Sequence, residues 1–160
     1  MYDENKNVTG KYCVRGEKVP ENYYHLVVHV WIKNDNEEYL ISQRAESRPK
    51  FPLMWECVGG SVLKGESSIQ GAIRETKEEV GIDLIETSGK LVYSKLRKIP
   101  NANNIMDVWL FKYNGEVSLN YATTDEVKDF KWMKKEEIKN YFNNNKLVPT
   151  LEYFLEEINI

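Results

Sequence analysis

The chain has 160 residues, 41% of them hydrophobic and 12% aromatic, which predicts one domain over residues 1–160 with enough apolar material for a real core. A net charge of −3 and a pI near 5.6 offer no general attraction to a polyanion, and no local basic patch is seen, so a nucleic-acid polymer is excluded as partner. The start MYDENKNV is polar and acidic, unlike a secretion signal, and the longest apolar stretch, Leu26 to Ile32, is too short for a bilayer; a soluble, cytoplasmic protein with no membrane partner is expected.

Residues 1–22 are polar, with turn signals at Thr9-Gly10 and Arg15-Gly16, and the alternation in Lys11 to Val14 predicts a small leading hairpin or edge strand. Cys13 and Cys57 lie far apart and form no CxxC or Cys/His pattern, so neither a disulfide framework nor a zinc site is expected. Tyr23 to Lys33 is rich in β-branched and aromatic residues and reads as the central strand, with His25 and His29 as strand residues, not ligands. After the turn at Asn34 to Asn36, Glu38 to Arg44 is its expected hairpin partner, with Leu40 and Ser42 on one face and Tyr39, Ile41 and Gln43 on the other.

Arg44 and Arg48 lie at or beyond that strand's end, near the following glycine-rich loop in sequence, where their guanidinium groups are candidates to bind phosphate oxygens of a substrate. Pro49 to Trp55 is an irregular loop that delivers Trp55 to Val58 as a strand into Gly59. Trp55 reads as a packing anchor and Cys57 as a buried thiol.

The densest chemistry follows, in GGSVLKGESSIQGAIRETKEEVGI, Gly59 to Ile82. Ser67 is placed to cap a helix running to about Val80, and Gly81 to end it. At ~100° per residue, Ile69, Ala72, Ile73, Thr76 and Val80 form one stripe, and Glu75, Glu78 and Glu79 gather in an arc of ~100° beside it. Like charges at these spacings destabilise a helix unless a cation compensates. The ligand set is all oxygen, so the cation is Mg²⁺ or Mn²⁺ and not zinc, and magnesium commonly arrives with a phosphate.

Gly60, Glu66 and the run Arg74-Glu75-Thr76-Lys77-Glu78-Glu79-Val80-Gly81-Ile82 resemble the signature box of the Nudix hydrolases, which cleave nucleoside diphosphates linked to another group. The departure is Thr76, where the family usually has an aliphatic residue; its methyl can still pack in the stripe. The resemblance implies the Nudix fold, an α/β/α sandwich around a central mixed β-sheet, and carries the metal-ligand role onto Glu75, Glu78 and Glu79.

Downstream, Leu91 to Ile99 and Ile105 to Tyr113 read as two strands joined by a polar loop, Asp107, Trp109 and Phe111 sharing a face on which Trp109 is a candidate ligand platform or, equally, part of a second packed layer. Phe130 to Met133 is a short strand, and Lys134 to Asn143 and Pro149 to Glu157 are closing helices whose buried stripes are Ile138, Tyr141 and Phe142, then Leu151, Phe154, Leu155 and Ile158.

A diphosphate resists water because its oxygens already carry negative charge; metal-bearing carboxylates neutralise that charge and activate the nucleophile. The expected cage is Glu75, Glu78 and Glu79 with the carbonyl of Gly59. Arg74 and Glu66 orient it, and Gly60 completes the loop. The general base is open between Glu75 and a distal acid, Glu126 or Asp129.

The expected function is hydrolysis of a phosphoanhydride in a small nucleoside diphosphate-X compound by a monomer or homodimer. Two alternatives stand. Tyr24 to Trp31 and Leu40 to Arg44 are similar to the branch that includes isopentenyl diphosphate isomerases, but the Cys-Gly-His of those enzymes is replaced here by Gly59-Gly60-Ser61. A non-catalytic nucleotide-sensing module is the other, and it would have no use for an intact acid cluster.

Overall fold

The computed structural model describes residues 1–14 and 16–156; Arg15 of the predicted first turn, and Glu157 and Ile158 of the predicted last helix, lie outside the described residues. The strands are β1 (His25–Lys33), β2 (Glu38–Arg44), β3 (Trp55–Glu56), β4 (Val58–Ser61), β5 (Lys90–Arg97), β6 (Asn104–Lys112) and β7 (Val127–Lys134). The helices are α1 (Ser68–Val80), α2 (Lys135–Asn143) and the short α3 (Tyr153–Glu156). The strands form one mixed sheet, with β1 parallel to β6 and the other pairings antiparallel.

β1 is central and buried on both faces. Val28, Val30 and Ile32 point toward α1 and pack with Leu40, Val58, Ala72 and Val80. Trp31 points the other way, joining Tyr39, Ile41, Met106 and Val108 under Ile138, Leu151 and Phe154. The chain is thus an α/β sandwich, and the period-2 alternation of β1 and β2 decides which apolar set each layer receives. Among the described residues no helix is long and apolar enough to cross a membrane.

The expected β1–β2 hairpin is a split. The two strands are in register only beside their turn, at Lys33 and Tyr39, after which β1 follows β6 and β2 follows β7. The extended segment 55–61 fills the gap: Trp55 and Glu56 pair with Gln43 and Ser42 of β2, and Val58 to Ser61 then cross to β1. The functional residues collect at this crossing.

Two predicted elements differ. Lys11 to Val14 is not a strand; the bridges are made by Tyr2 with Val8 and with Tyr24, whose backbone it exchanges hydrogen bonds with at 2.8 and 2.9 Å. The helix expected from Pro149 breaks into a 3₁₀ turn, Pro149–Leu151, before α3, so Leu151 and Phe154 are still buried.

Candidate active site

The start and end of α1 are set by local chemistry. Ser67 and Gln70 form a reciprocal cap, the Ser67 amide donating to Gln70 Oε1 at 2.9 Å and the Gln70 amide to Ser67 Oγ at 3.3 Å. Gly81 ends the helix with φ 73°. Thr76 is fully buried and donates its hydroxyl to Ala72 O at 2.8 Å, which satisfies the polar atom at the position that departs from the family.

The carboxylate arc is not a solvated face. Glu75 and Glu79 are only 6% and 5% exposed, because the arc lies against β4 and the crossing segment; Glu78 remains partly exposed. Arg74 holds this arrangement with all of its N–H groups. Its Nε and Nη2 donate to the two carboxylate oxygens of Glu66 at 2.7 and 3.1 Å. Nη1 donates to Glu75 and Glu78 at 2.9 Å each, and Nη2 also to Ser61 O at 2.9 Å. Burial opposes the charge on Arg74, but the hydrogen bonds to Glu66 and Glu75 override it and raise its pKa. The Arg74 hydrogen bonds hold the Glu66 carboxyl below its usual range.

The two glycines of β4 are required by contact. A Cβ on Gly60 would lie 2.2–2.5 Å from the carboxyl atoms of Glu75. Those atoms are the end of a flexible side chain, so Gly60→Ala is expected to keep the fold, within about 1 kcal/mol, while displacing Glu75 and lowering activity at least tenfold, roughly. Thermal unfolding beside steady-state kinetics checks this; unchanged kcat would separate Glu75 from the chemistry. Gly59 stands opposite His29. Val62 N–H donates to Leu26 O, which makes Leu26 and Val62 a hydrogen-bonded pair, so by alternation Gly59 turns its N–H and C=O away from β1. The Gly59 N–H bonds Glu79, and the carbonyl is on the same side.

A second pair of acids, Glu56 and Glu126, faces these. Burial raises the pKa of Glu79 well above the usual carboxyl value, and Glu56, Glu75 and Glu126 add to the effect. Glu75 and Glu56 are raised mainly by burial as well, with Arg74 and Arg44 respectively opposing. Arg44 and Arg48, the candidates for phosphate, are each paired with an acid: Arg44 with Glu56 and Arg48 with Glu126, the latter at 2.5 Å. Asp129 is exposed, its Oδ1 taken by the Phe130 amide, and it lies beside Trp55 and Lys131. Of the two distal acids, only Glu126 therefore joins the cluster.

Among the described residues no three acids are gathered into a ready cation cage; Arg74 binds Glu75 and Glu78, and Glu79 turns to Gly59. The chemistry of the donors nevertheless fits a hard divalent cation. Every donor is an oxygen, and Glu79 Oε2 is buried without any hydrogen-bond partner. A buried carboxyl oxygen with no partner is a position that such an ion would satisfy.

Several residues were not legible as part of the site. Glu56 is a charged residue in an otherwise apolar strand, and that mismatch was the available signal. His29 Nδ1 is 2.8 Å from Tyr153 Oη, and Trp31 Nε1 donates to the same oxygen at 3.0 Å; burial, then the nearby Arg97, lowers the His29 pKa to about 3. Cys57 is buried, its thiol pKa pushed up by burial. Trp109 is no open platform: its Nε1 donates to Ser68 Oγ at 2.9 Å, and Ser68 donates to Asp107 at 2.7 Å, tying the start of α1 to β6.

The NUDIX domain model matches residues 23–157. An uncharacterized Nudix hydrolase of Listeria innocua is 34% identical over 161 residues, covering 99% of this chain and 90% of that protein. The isopentenyl-diphosphate Delta-isomerase of Shigella boydii is 29% identical over 115 residues, covering 68% of this chain and 60% of the isomerase. A solved structure from Deinococcus radiodurans superposes with a TM-score of 0.71 at 19% identity, over 92% of this chain and 90% of that one.

Proposed function

The chain belongs to the Nudix hydrolase family, and from that premise we propose that it is a Mg²⁺- or Mn²⁺-dependent hydrolase that cleaves the phosphoanhydride bond of a small nucleoside diphosphate-X type compound. The observation that carries the metal-dependent reading is Glu79 Oε2, buried and unpartnered among Glu56, Glu75 and Glu126. Glu75, Glu78, Glu79 and the Gly59 carbonyl would hold the ion. When bound, it would lower the pKa of a water and offset charge on the phosphate.

The chain's own residues do the rest. Arg74 keeps Glu75 and Glu78 at fixed separation and orientation, so little reorganisation is needed when substrate binds. Gly60 lets the Glu75 carboxyl lie against the backbone of β4. Glu56 and Glu126 are the additional groups able to accept a proton at the cluster, each steered by an arginine. Contact of Arg44 or Arg48 with substrate phosphate would exchange those ion pairs for new ones. Gly59 and Ser61 stand where the isomerase sequence has Cys and His, and Cys57 is buried, which favours hydrolysis over isomerisation.

The test is release of phosphate or pyrophosphate from nucleoside triphosphates, nucleotide sugars, dinucleotides and isopentenyl diphosphate, with Mg²⁺ or with EDTA. Metal-dependent release that is lost in Glu78→Gln is expected. Release that persists in EDTA, or silence across the panel, would overturn the reading.

A further inference from the structure

Of the described arginines, Arg44, Arg48 and Arg74 each hold at least one carboxylate. Arg97, near the end of β5, holds none among the described residues. Its Nε donates to Asn104 Oδ1 at 2.7 Å, and Asn104 is fixed in turn by donating to Ala102 O at 2.9 Å. One edge of the guanidinium is therefore anchored, while its two Nη groups have no acceptor among the described residues. The side chain is partly buried, and burial lowers its pKa. A desolvated, unpaired guanidinium costs folding free energy, so a structural role is a poor account of it.

The surroundings supply a reason. Arg97 lines a cavity of about 170 Å³ whose other walls include His29, Glu56, Gly59, Gly60 and Thr150. Gly60 touches the Glu75 carboxyl, so the cavity opens directly beside the acid cluster. His29 stands on the same wall. Its Cδ2 edge faces Gly59, 3.3 Å from where a Cβ would be. The cavity thus presents the free edge of a guanidinium fork and a threonine hydroxyl, with Glu56, paired to Arg44, on its wall. A guanidinium edge with no carboxylate of its own among the described residues calls for an anion.

Size limits the anion. A site for a whole drug-sized ligand occupies roughly 300–1,000 Å³, so about 170 Å³ admits one group of a substrate and not a nucleoside. We propose that Arg97 and this cavity bind an unsubstituted terminal phosphate of the substrate, on the far side of the bond that is cleaved at the α1 carboxylates. The inference rests on the proposed hydrolase function and narrows it. Compounds ending in a free phosphate, such as nucleoside triphosphates or the diphosphates of small alcohols, are preferred to dinucleotides, in which both ends are blocked.

The probe is inorganic pyrophosphate at about 10 mM in EDTA, read by thermal unfolding, because binding to the native state raises its stability by mass action. Wild type is expected to be stabilised, Glu79→Gln equally so, Arg97→Lys less, and Arg97→Met not at all. Arg97→Met, which removes an unpaired charge, is expected to unfold no earlier than wild type without ligand. If it fails to fold, Arg97→Lys carries the test, since it keeps the charge and loses the fork. In hydrolysis of the panel compound that wild type cleaves, Arg97→Met should raise KM about tenfold or more and change kcat by less than about threefold. Equal stabilisation of all the variants by pyrophosphate with unchanged KM would overturn the Arg97 assignment and leave the hydrolase intact. Absence of hydrolysis by wild type would overturn the hydrolase reading itself.

Discussion

Replacing Glu79 by Gln is expected to lower metal-dependent turnover by roughly 10²–10³-fold, the scale on which removal of one electrostatic element from a reaction centre acts, without destabilising the metal-free protein. The two halves of this expectation come from one observation. Glu79 is 5% exposed and its Oε2 has no partner, while Glu56, Glu75 and Glu126 crowd it with like charge. A carboxylate retained in such a place does not help the fold. Gln preserves its volume, removes its charge and can donate N–H toward the neighbouring acids, so in EDTA the variant should unfold at the wild-type temperature or above it, gaining up to about 2 kcal/mol. Added Mg²⁺ should then raise the unfolding temperature of wild type and leave that of the variant nearly unmoved. Thermal unfolding in EDTA and in Mg²⁺, beside steady-state kinetics, reads both effects. A variant less stable than wild type in EDTA would mean that Glu79 serves packing, and full turnover would remove it from the metal site.

Ser67, Gln70 and Gly81 show why the centre of the molecule was legible from its residues. Helix caps are decided by atoms within a few positions, so the bounds of α1 could be derived without knowing the fold. The burial of the arc formed by Glu75 and Glu79 is a different kind of fact. It depends on the segment 55–61 crossing from β2 to β1, and that crossing exists only because β1 and β2 part beyond Lys33 and Tyr39. A strong turn at Asn34 looks the same in sequence whether the hairpin stays closed or opens. For the same reason Arg44 and Arg48 read as free cations at a strand end, although Glu56 and Glu126 are brought to them from distant segments. Arg97 gave no local signal either, since a single arginine at the end of a strand is ordinary until the cavity beside it is known. Periodicity recovered the layers, and local chemistry recovered the helix; the parts that depend on how strands diverge needed the structure.

Arg74→Lys is expected to be the most destabilising change in the site, costing about 2–4 kcal/mol, because it breaks a partly buried charge network while leaving its acids behind. Arg74 is 21% exposed in its side chain and makes five hydrogen bonds, to Glu66, Glu75, Glu78 and the carbonyl of Ser61. A lysine keeps the charge but offers three donors on a point, so it cannot grip both oxygens of Glu66 and still reach Glu75 and Glu78. The acids left over are those proposed to bind metal, which makes the deficit ion-dependent. Chemical denaturation should show the full loss in EDTA and a smaller one in Mg²⁺, as the cation takes over part of the compensation. Glu66→Gln should cost less than Arg74→Lys, and the two should couple in a double-mutant cycle, since Glu66 meets the cluster through this guanidinium. Additive losses, or a deficit equal with and without Mg²⁺, would show that Arg74 supports the loop at Ser61 and Glu66 and not the carboxylates on α1.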